Sequence, residues 1–180
     1  MQTHENPVES GWAAMRWAQT QIGQSVTNSG TSVALDIGDH GDIHPKNKRA
    51  VGERLAALAL AQTYGRTDQK LSPVPADDVA LASGKSMQMR VRFVDPVSGK
   101  PAALRPGAVK GFQISRDGKT FEWAEAKAEG DTVTVGERLG DRIIRIIRVR
   151  YAWDDYPDCD LVSADGLPVG PFELESGPAR

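Results

Sequence analysis

The spacing of apolar residues changes near residue 66 of this 180-residue chain, and that change restricts the possible folds more than any other feature. Before residue 66 the apolar residues recur every three or four positions, which is the period of a helix with one apolar face. Beyond it, in stretches such as residues 87–94, they alternate with polar residues, which is the period of a strand. The sequence therefore predicts a partial α/β sheet segment followed by an all-β, sandwich-like domain.

The first 66 residues predict the order helix, strand, loop and helix. Ser10 is placed to cap a helix that begins at Gly11. The mostly apolar residues 32–37 predict a short strand buried on both faces, and a polar loop follows. Pro45 suits the first turn of a second helix, which would stop at Gly65. Apolar residues fall at helical spacing in both helices: Trp12, Met15 and Ile22 in the first, and Val51, Leu55, Leu58 and Leu60 in the second.

Residues 67–76, with Pro73 and Pro75, form the predicted linker to a β-rich domain at residues 77–150. Asp117-Gly118 is a strong hairpin signal between residues 112–115 and 120–124. With residues 132–135 and the β-branched run at 143–151, we expect about five or six short strands. The tail at residues 151–180 is predicted to be irregular, with aromatic residues that pack back on the first part.

Composition and charge exclude several functions. The net charge of −2 lacks the basic excess that nucleic-acid binders show, so no nucleic-acid partner is expected. The longest apolar run, residues 55–61, is too short to span a membrane, which takes about 20 residues. The single cysteine, Cys159, forms no internal disulfide, and no histidine cluster has zinc spacing. The sequence therefore does not predict a structural zinc site.

The polar loop carries the most chemical information. Residues 36–48 (DIGDHGDIHPKNK) place three aspartates and two histidines at and beyond the end of the predicted strand, where ligands bind in open α/β sheets. A histidine beside a carboxylate can take the proton from a nucleophilic hydroxyl, because the carboxylate fixes its tautomer and stabilises the imidazolium. Residue pattern alone does not distinguish this role from a loop hydrogen bond or a helix cap.

Three segments in order resemble the sialate O-acetylesterase family, a branch of the SGNH hydrolases. They are DIGDHGDIHPKNKRAVGERLAALALAQTYG, GFQISRDGKTFEWAEAKAEGDTVTV and VRYAWDDYPDCDLVSADGLPVGPF. The resemblance implies hydrolysis of O-acetyl esters of sialic acid or a related sugar by a Ser-His-Asp mechanism, with no cofactor. It makes His44 the general base. Its acidic partner would be Asp42, with Asp39 as the alternative, because Gly41 occupies the position that usually holds the aspartate.

The family blocks that hold the nucleophilic serine and the oxyanion donors have no counterpart here. Ser25 stands between a helix and a strand, which is the wrong place for the nucleophile. The resemblance therefore implies a C-terminal portion, inactive alone, from a truncated gene, a split subunit or an incomplete reading frame. A separate N-terminal chain would then supply the serine. Family members are commonly periplasmic or extracellular, but the chain itself does not establish its location.

An isolated half-sheet of this kind would expose unpaired strand edges and apolar helix faces, so we expect the chain alone to be poorly soluble or to self-associate. Four arginines at residues 142–150 are expected to be solvated along a strand, with a sugar-carboxylate site as the alternative. Trp153 and Tyr156 are expected to pack rather than to stack on a sugar. Since the serine is missing, the rival function is a non-catalytic carbohydrate-binding or interaction module.

Overall fold

The computed structural model of the protein describes residue 7 and residues 9–42, 44–81, 88–136 and 146–176, with the backbone alone for 77–81. Within these residues the chain forms two helices and then a series of strands. The helices are α1 (Gly11–Ser25) and α2 (Lys48–Gln62). The strands are β1 (Val74–Leu81), β2 (Met89–Val94), β3 (Gly107–Val109), β4 (Phe112–Ser115), β5 (Glu122–Trp123), β6 (Ala126–Glu129), β7 (Thr132–Val135), β8 (Arg148–Tyr151) and β9 (Phe172–Glu175).

The strands form two antiparallel sheets. One has the order β1-β2-β7-β6-β3 and the other the order β5-β4-β8-β9. One cluster of buried side chains lies against both sheets. Aromatic rings join them, with the centroids of Phe93 in the first sheet and Phe172 in the second 5.8 Å apart. The fold is therefore mostly β, and the shared core makes the two sheets one packed unit.

Several predicted strands are confirmed. In β2 the side chains of Met89, Val91 and Phe93 are fully buried, and those between them face outward. Met87 lies outside the described residues. The hairpin at Asp117-Gly118 joins β4 to β5, and β6 and β7 form a second hairpin. The period of two thus identifies the side of each strand that faces the core.

The predicted strand at residues 32–37 is wrong. This segment is irregular and mostly half-buried. A strand is stable only when a neighbour satisfies its backbone N–H and C=O groups, and the described part of the chain places no strand beside it. Two other boundaries also differ: α2 begins at Lys48 instead of Pro45, and β1 begins at Val74, inside the predicted linker.

The tail is more ordered than predicted. It contributes β9, which pairs with β8, and it buries Trp153, Leu161 and Phe172. It also contacts the start of α1, where the Ser10 hydroxyl donates to Asp155 Oδ1 at 2.6 Å. The Ser10 Oγ accepts from the Ala13 N–H at 3.0 Å, which confirms the predicted cap. The tail therefore fixes the N-terminal helix.

The two helices pack unequally. In α1, Ala13 and Thr20 are buried, and Trp17 packs against the core cluster. In α2 no residue is buried, so this helix lies on the surface. It ends close to the predicted stop, because Gly65 has a positive φ of 65° and the Arg66 N–H returns to the Leu60 carbonyl at 3.0 Å.

Candidate functional site

Arg54 of α2 holds the segment that leads into the polar loop. Its guanidinium donates two hydrogen bonds to the Asp36 carboxylate, at 2.7 and 2.6 Å, and a third to the Val33 carbonyl. The Arg54 side chain is mostly buried, which makes this bidentate pair stronger than an exposed one. Sequence reasoning missed Arg54, since a lone arginine on a helix does not reveal a partner 18 residues earlier.

The loop brings His44 and Asp42 together. Asp42 Oδ1 accepts from the His44 backbone N–H at 2.8 Å and lies 3.0 Å from His44 Nδ1. Both side chains are exposed, His44 by 77% and Asp42 by 45%. With Nδ1 as the donor to this carboxylate, the neutral imidazole keeps its free lone pair on Nε2. The pair therefore has the nitrogen assignment that a histidine general base needs.

The other carboxylate considered for this role has different partners. Asp39 Oδ2 lies 3.6 Å from the Lys46 ammonium, and Asp39 Oδ1 accepts from the Gly41 N–H at 3.0 Å. The structure thus brings Asp42 to His44 and Asp39 to Lys46. The catalytic role of Asp42 remains a prediction, but its contact agrees with the sequence ranking. His40 is exposed, and its ring meets the Tyr156 ring edge-on with the two centroids 5.0 Å apart.

A cavity of about 590 Å³ lies between α1, the irregular segment, the polar loop and the tail. Asp42 and Pro45 line it, and His44 between them in sequence does not. The imidazole therefore lies beside the cavity and is open to solvent. Other lining residues include Trp12, Arg16, Gln19, Leu35, Asp39, His40 and Tyr156.

Ser25 is the final residue of α1, and its hydroxyl donates to the Ile22 carbonyl at 3.4 Å. The hydrogen bonds described for His44 both join Asp42. The geometry thus gives Ser25 no link to the pair.

The expectation of solvated arginines is wrong for Arg150. Its guanidinium is buried between two rings, 3.7 Å from the Phe121 centroid and 4.4 Å from the Trp153 centroid. It also pairs with Glu173, and with Glu9 at 2.7 Å. These carboxylates neutralise the arginine, so it has no charge left for a sugar carboxylate. Arg142 and Arg145 lie outside the described residues.

The Cys159 thiol and the acidic residues were also considered as a nucleophile and as metal ligands. Burial raises the pKa of the Cys159 thiol to about 11, which keeps it protonated and unreactive at neutral pH. Among the residues that the structure places, no group of three or more His, Cys, Asp and Glu could hold a metal ion. Neither described helix has the length and hydrophobicity that crossing a membrane requires.

Known proteins resemble the chain, whereas no family model matches it. It is 26% identical over 185 residues to "Sialate O-acetylesterase" of Mus musculus, an alignment that covers 93% of this chain and 33% of that protein. Its fold matches the crystal structure of a carbohydrate acetylesterase from Xanthomonas citri, with a TM-score of 0.67 and 35% identity over 83% of this chain. That match covers 33% of the solved chain. The protein thus spans about a third of the length of each relative.

Proposed function

Because the chain belongs to the sialate O-acetylesterase family, we propose that it supplies the histidine and aspartate of a carbohydrate esterase. The substrate would be an O-acetyl ester of sialic acid or a related sugar. The observation that carries this proposal is the 3.0 Å contact between His44 Nδ1 and Asp42 Oδ1. It supports the Ser-His-Asp arrangement, in which the carboxylate holds Nδ1 and Nε2 moves the proton.

In the proposed reaction a serine from the remaining part of the enzyme attacks the acetyl carbonyl. Its proton passes to His44 Nε2, and Asp42 stabilises the imidazolium. His44 then returns the proton to the departing sugar oxygen, which leaves an acetyl-serine. Water then attacks the acetyl-serine, with His44 again as the base, and acetate and the free serine are released.

The architecture that accompanies this role is also a proposal. Residues 1–66 would complete an SGNH-type α/β hydrolase domain at its C-terminal end, followed by the linker at 67–76, the β-rich domain at 77–150 and the tail. Support comes from the relatives' length, since about two thirds of each has no counterpart in this chain. The serine and oxyanion donors would belong to that remainder, in the same longer protein or in a separate N-terminal chain.

A chimera tests the proposal. This chain replaces the matching third of the Xanthomonas citri acetylesterase, and release of acetate from O-acetylated sialic acid and p-nitrophenyl acetate is measured. We expect the chimera to be active and the chain alone to be inactive. His44→Ala should lower kcat/KM by about 10⁴-fold, and Asp42→Asn by about 10²–10⁴-fold.

Asp39→Asn is the matched comparison, because Asp39 contacts Lys46 in place of His44. It should change kcat/KM far less than Asp42→Asn. Full activity of the His44→Ala chimera would refute the role of His44, and equal losses for the two aspartates would refute the assignment of Asp42.

One observation favours the second candidate, a carbohydrate-binding module without catalysis. Tyr156 is partly exposed at the cavity, and its ring is held edge-on by His40. Exposed aromatic rings give sugars an apolar face to pack on. Binding of sialic acid to the chain alone in calorimetry, weakened by Tyr156→Ala, together with an inactive chimera would favour this function.

A further inference from the structure

Helix α1 presents several of its larger apolar residues to solvent, although Trp17 packs against the core cluster. Trp12, Met15, Ile22 and its C-cap residue Val26 recur on one face and are exposed by 52, 48, 57 and 53%. We call these four residues the α1 stripe. The helix is nevertheless well anchored. Its other side buries Ala13, and Ser10 ties it to the tail. A contiguous apolar face on a well-anchored helix is typical of an interaction surface.

The α1 stripe is continuous with the surroundings of the His44–Asp42 pair. Trp12 lies at one end of the stripe and lines the 590 Å³ cavity, which Asp42 also lines. The irregular segment at residues 31–35 forms another wall of the same cavity. This segment has the apolar sequence of a buried strand, but the described chain provides no strand to pair with it. Helix face, cavity and unpaired segment therefore form one surface beside the pair.

We propose that the α1 stripe and this cavity form the docking surface for the serine-bearing portion of the esterase. The inference rests on the proposed function and names where the missing polypeptide binds. We choose the serine-bearing portion as the occupant because about two thirds of each relative has no counterpart in this chain. Docking here would also bring a hydroxyl to the exposed His44. A second copy of this chain would cover the stripe without supplying the missing serine block.

Thiol labelling tests the docking in the chimera described above. Ile22→Cys places a thiol on the α1 stripe, and its reaction with a chromogenic disulfide reagent is timed in the chimera and in the 180-residue chain. We expect labelling to be at least about tenfold slower in the chimera, since a buried thiol reacts only after local opening. Tyr64→Cys, at a position 73% exposed beyond the end of α2, is the matched control and should label equally in both proteins.

Equal labelling of Ile22→Cys in the two proteins would overturn the docking. Protection that instead rises with the concentration of the chain alone would assign the surface to a second copy and also overturn it. If the chimera is too unstable for labelling, thermal unfolding tests the same proposal. Ile22→Glu should lower Tm in the chimera and leave the Tm of the chain alone unchanged. Equal shifts of Tm in both would refute the proposal.

Activity separates this inference from the proposed function. A chimera that protects Ile22→Cys but releases no acetate would retain the docking surface and refute the esterase role of this chain. A chimera that is active, with Ile22→Cys labelled at the rate of the isolated chain, would retain the esterase role and refute the docking surface.

Discussion

Gly111 occupies a position where no side chain fits. Its φ of +90° lies in the region that favours glycine. A Cβ added there would stand 2.8 Å from the Cys159 Cβ and 3.2 Å from the Asp158 carbonyl oxygen. The tail therefore packs directly on the backbone that precedes β4.

We predict that Gly111→Ala destabilises the fold by about 2–4 kcal/mol, from unfavourable φ and from overpacking together. Gly99→Ala is the control, because Gly99 also has a positive φ, +66°, but its added Cβ would contact nothing within 4 Å. It should cost about 1 kcal/mol. Urea unfolding followed by tryptophan fluorescence measures both, and equal losses would show that the contact with Cys159 is unimportant.

Asp117 makes the β4–β5 hairpin sensitive to acid. Its Oδ1 accepts from the Thr120 N–H at 2.7 Å and the Lys119 N–H at 2.8 Å, and these bonds lower its pKa far below the ordinary value of 3.8. A carboxylate with a lowered pKa stabilises the fold above its unfolded pKa, and that contribution is lost as the pH falls through the folded pKa.

The wild type should therefore be more stable than Asp117→Asn at pH 7, and the difference should shrink as the pH falls below about 4. Urea midpoints from pH 6 to pH 2 provide the measurement. A difference that stays constant with pH would mean that the charge of Asp117 does not contribute.

The contact between His44 and Asp42 shows what local sequence can predict at the scale of residues. Two residues apart, the aspartate reaches both the backbone N–H and the Nδ1 of the histidine, so sequence proximity was enough to rank it first. Asp39 pairs with Lys46, and Asp36 pairs with Arg54. The Arg54 contact spans 18 residues and forms only when α2 folds against the preceding segment.

At the scale of elements, the period of two predicted strands well where a neighbouring strand is present to pair with, as for β2 and β7. The strand at residues 32–37 was predicted instead from a continuous apolar run, and it does not form because the described chain places no strand beside it. The β-branched run at residues 143–151 indicated a strand but did not show that Arg150 would be enclosed. The residues that enclose it, Phe121, Trp153 and Glu173, come from elsewhere in the chain.

Arg150 links β8 to β9 and to the segment before α1 through Glu173 and Glu9. We predict that Arg150→Ala costs about 2–4 kcal/mol. It leaves Glu173 paired with Arg148 alone, and it removes the guanidinium from between the two rings. Arg150→Lys should restore part of this loss, because it keeps the charge but not the planar stacking. Guanidinium unfolding gives the free energies.

Arg49→Ala is the control for charge removal, because the Arg49–Glu53 pair lies fully on the surface of α2. It should leave the midpoint near that of the wild type. A similar loss in the free energy of unfolding for Arg150→Ala and Arg49→Ala would show that the buried contacts of Arg150 do not stabilise the fold.

At the scale of the whole molecule, the sheets and the helices differ in how much they bury. Strands β2, β7 and β8 contribute fully buried side chains to the core, whereas α2 buries none. Periodicity alone gives α2 an apolar face but says nothing of a partner for it, so the exposure of helix faces was expected only from the resemblance to one portion of a longer enzyme.

Amide hydrogen exchange should therefore be slowest in β2, β7 and β8 and much faster in α2, which can open without exposing the core. Mass spectrometry of peptic fragments resolves these elements. Protection of α2 equal to that of β7 would show that the helix unfolds only with the sheets.

The contact between Ser10 and Asp155 spans 145 residues. During translation α1 leaves the ribosome long before the acidic tail residues that anchor it, and β9 is made later still. Contacts this distant in sequence slow folding, so the nascent helix waits with the side that the folded chain buries at Ala13 uncovered, as well as its apolar stripe. Chaperones that recognise exposed apolar helices would meet the chain in that interval.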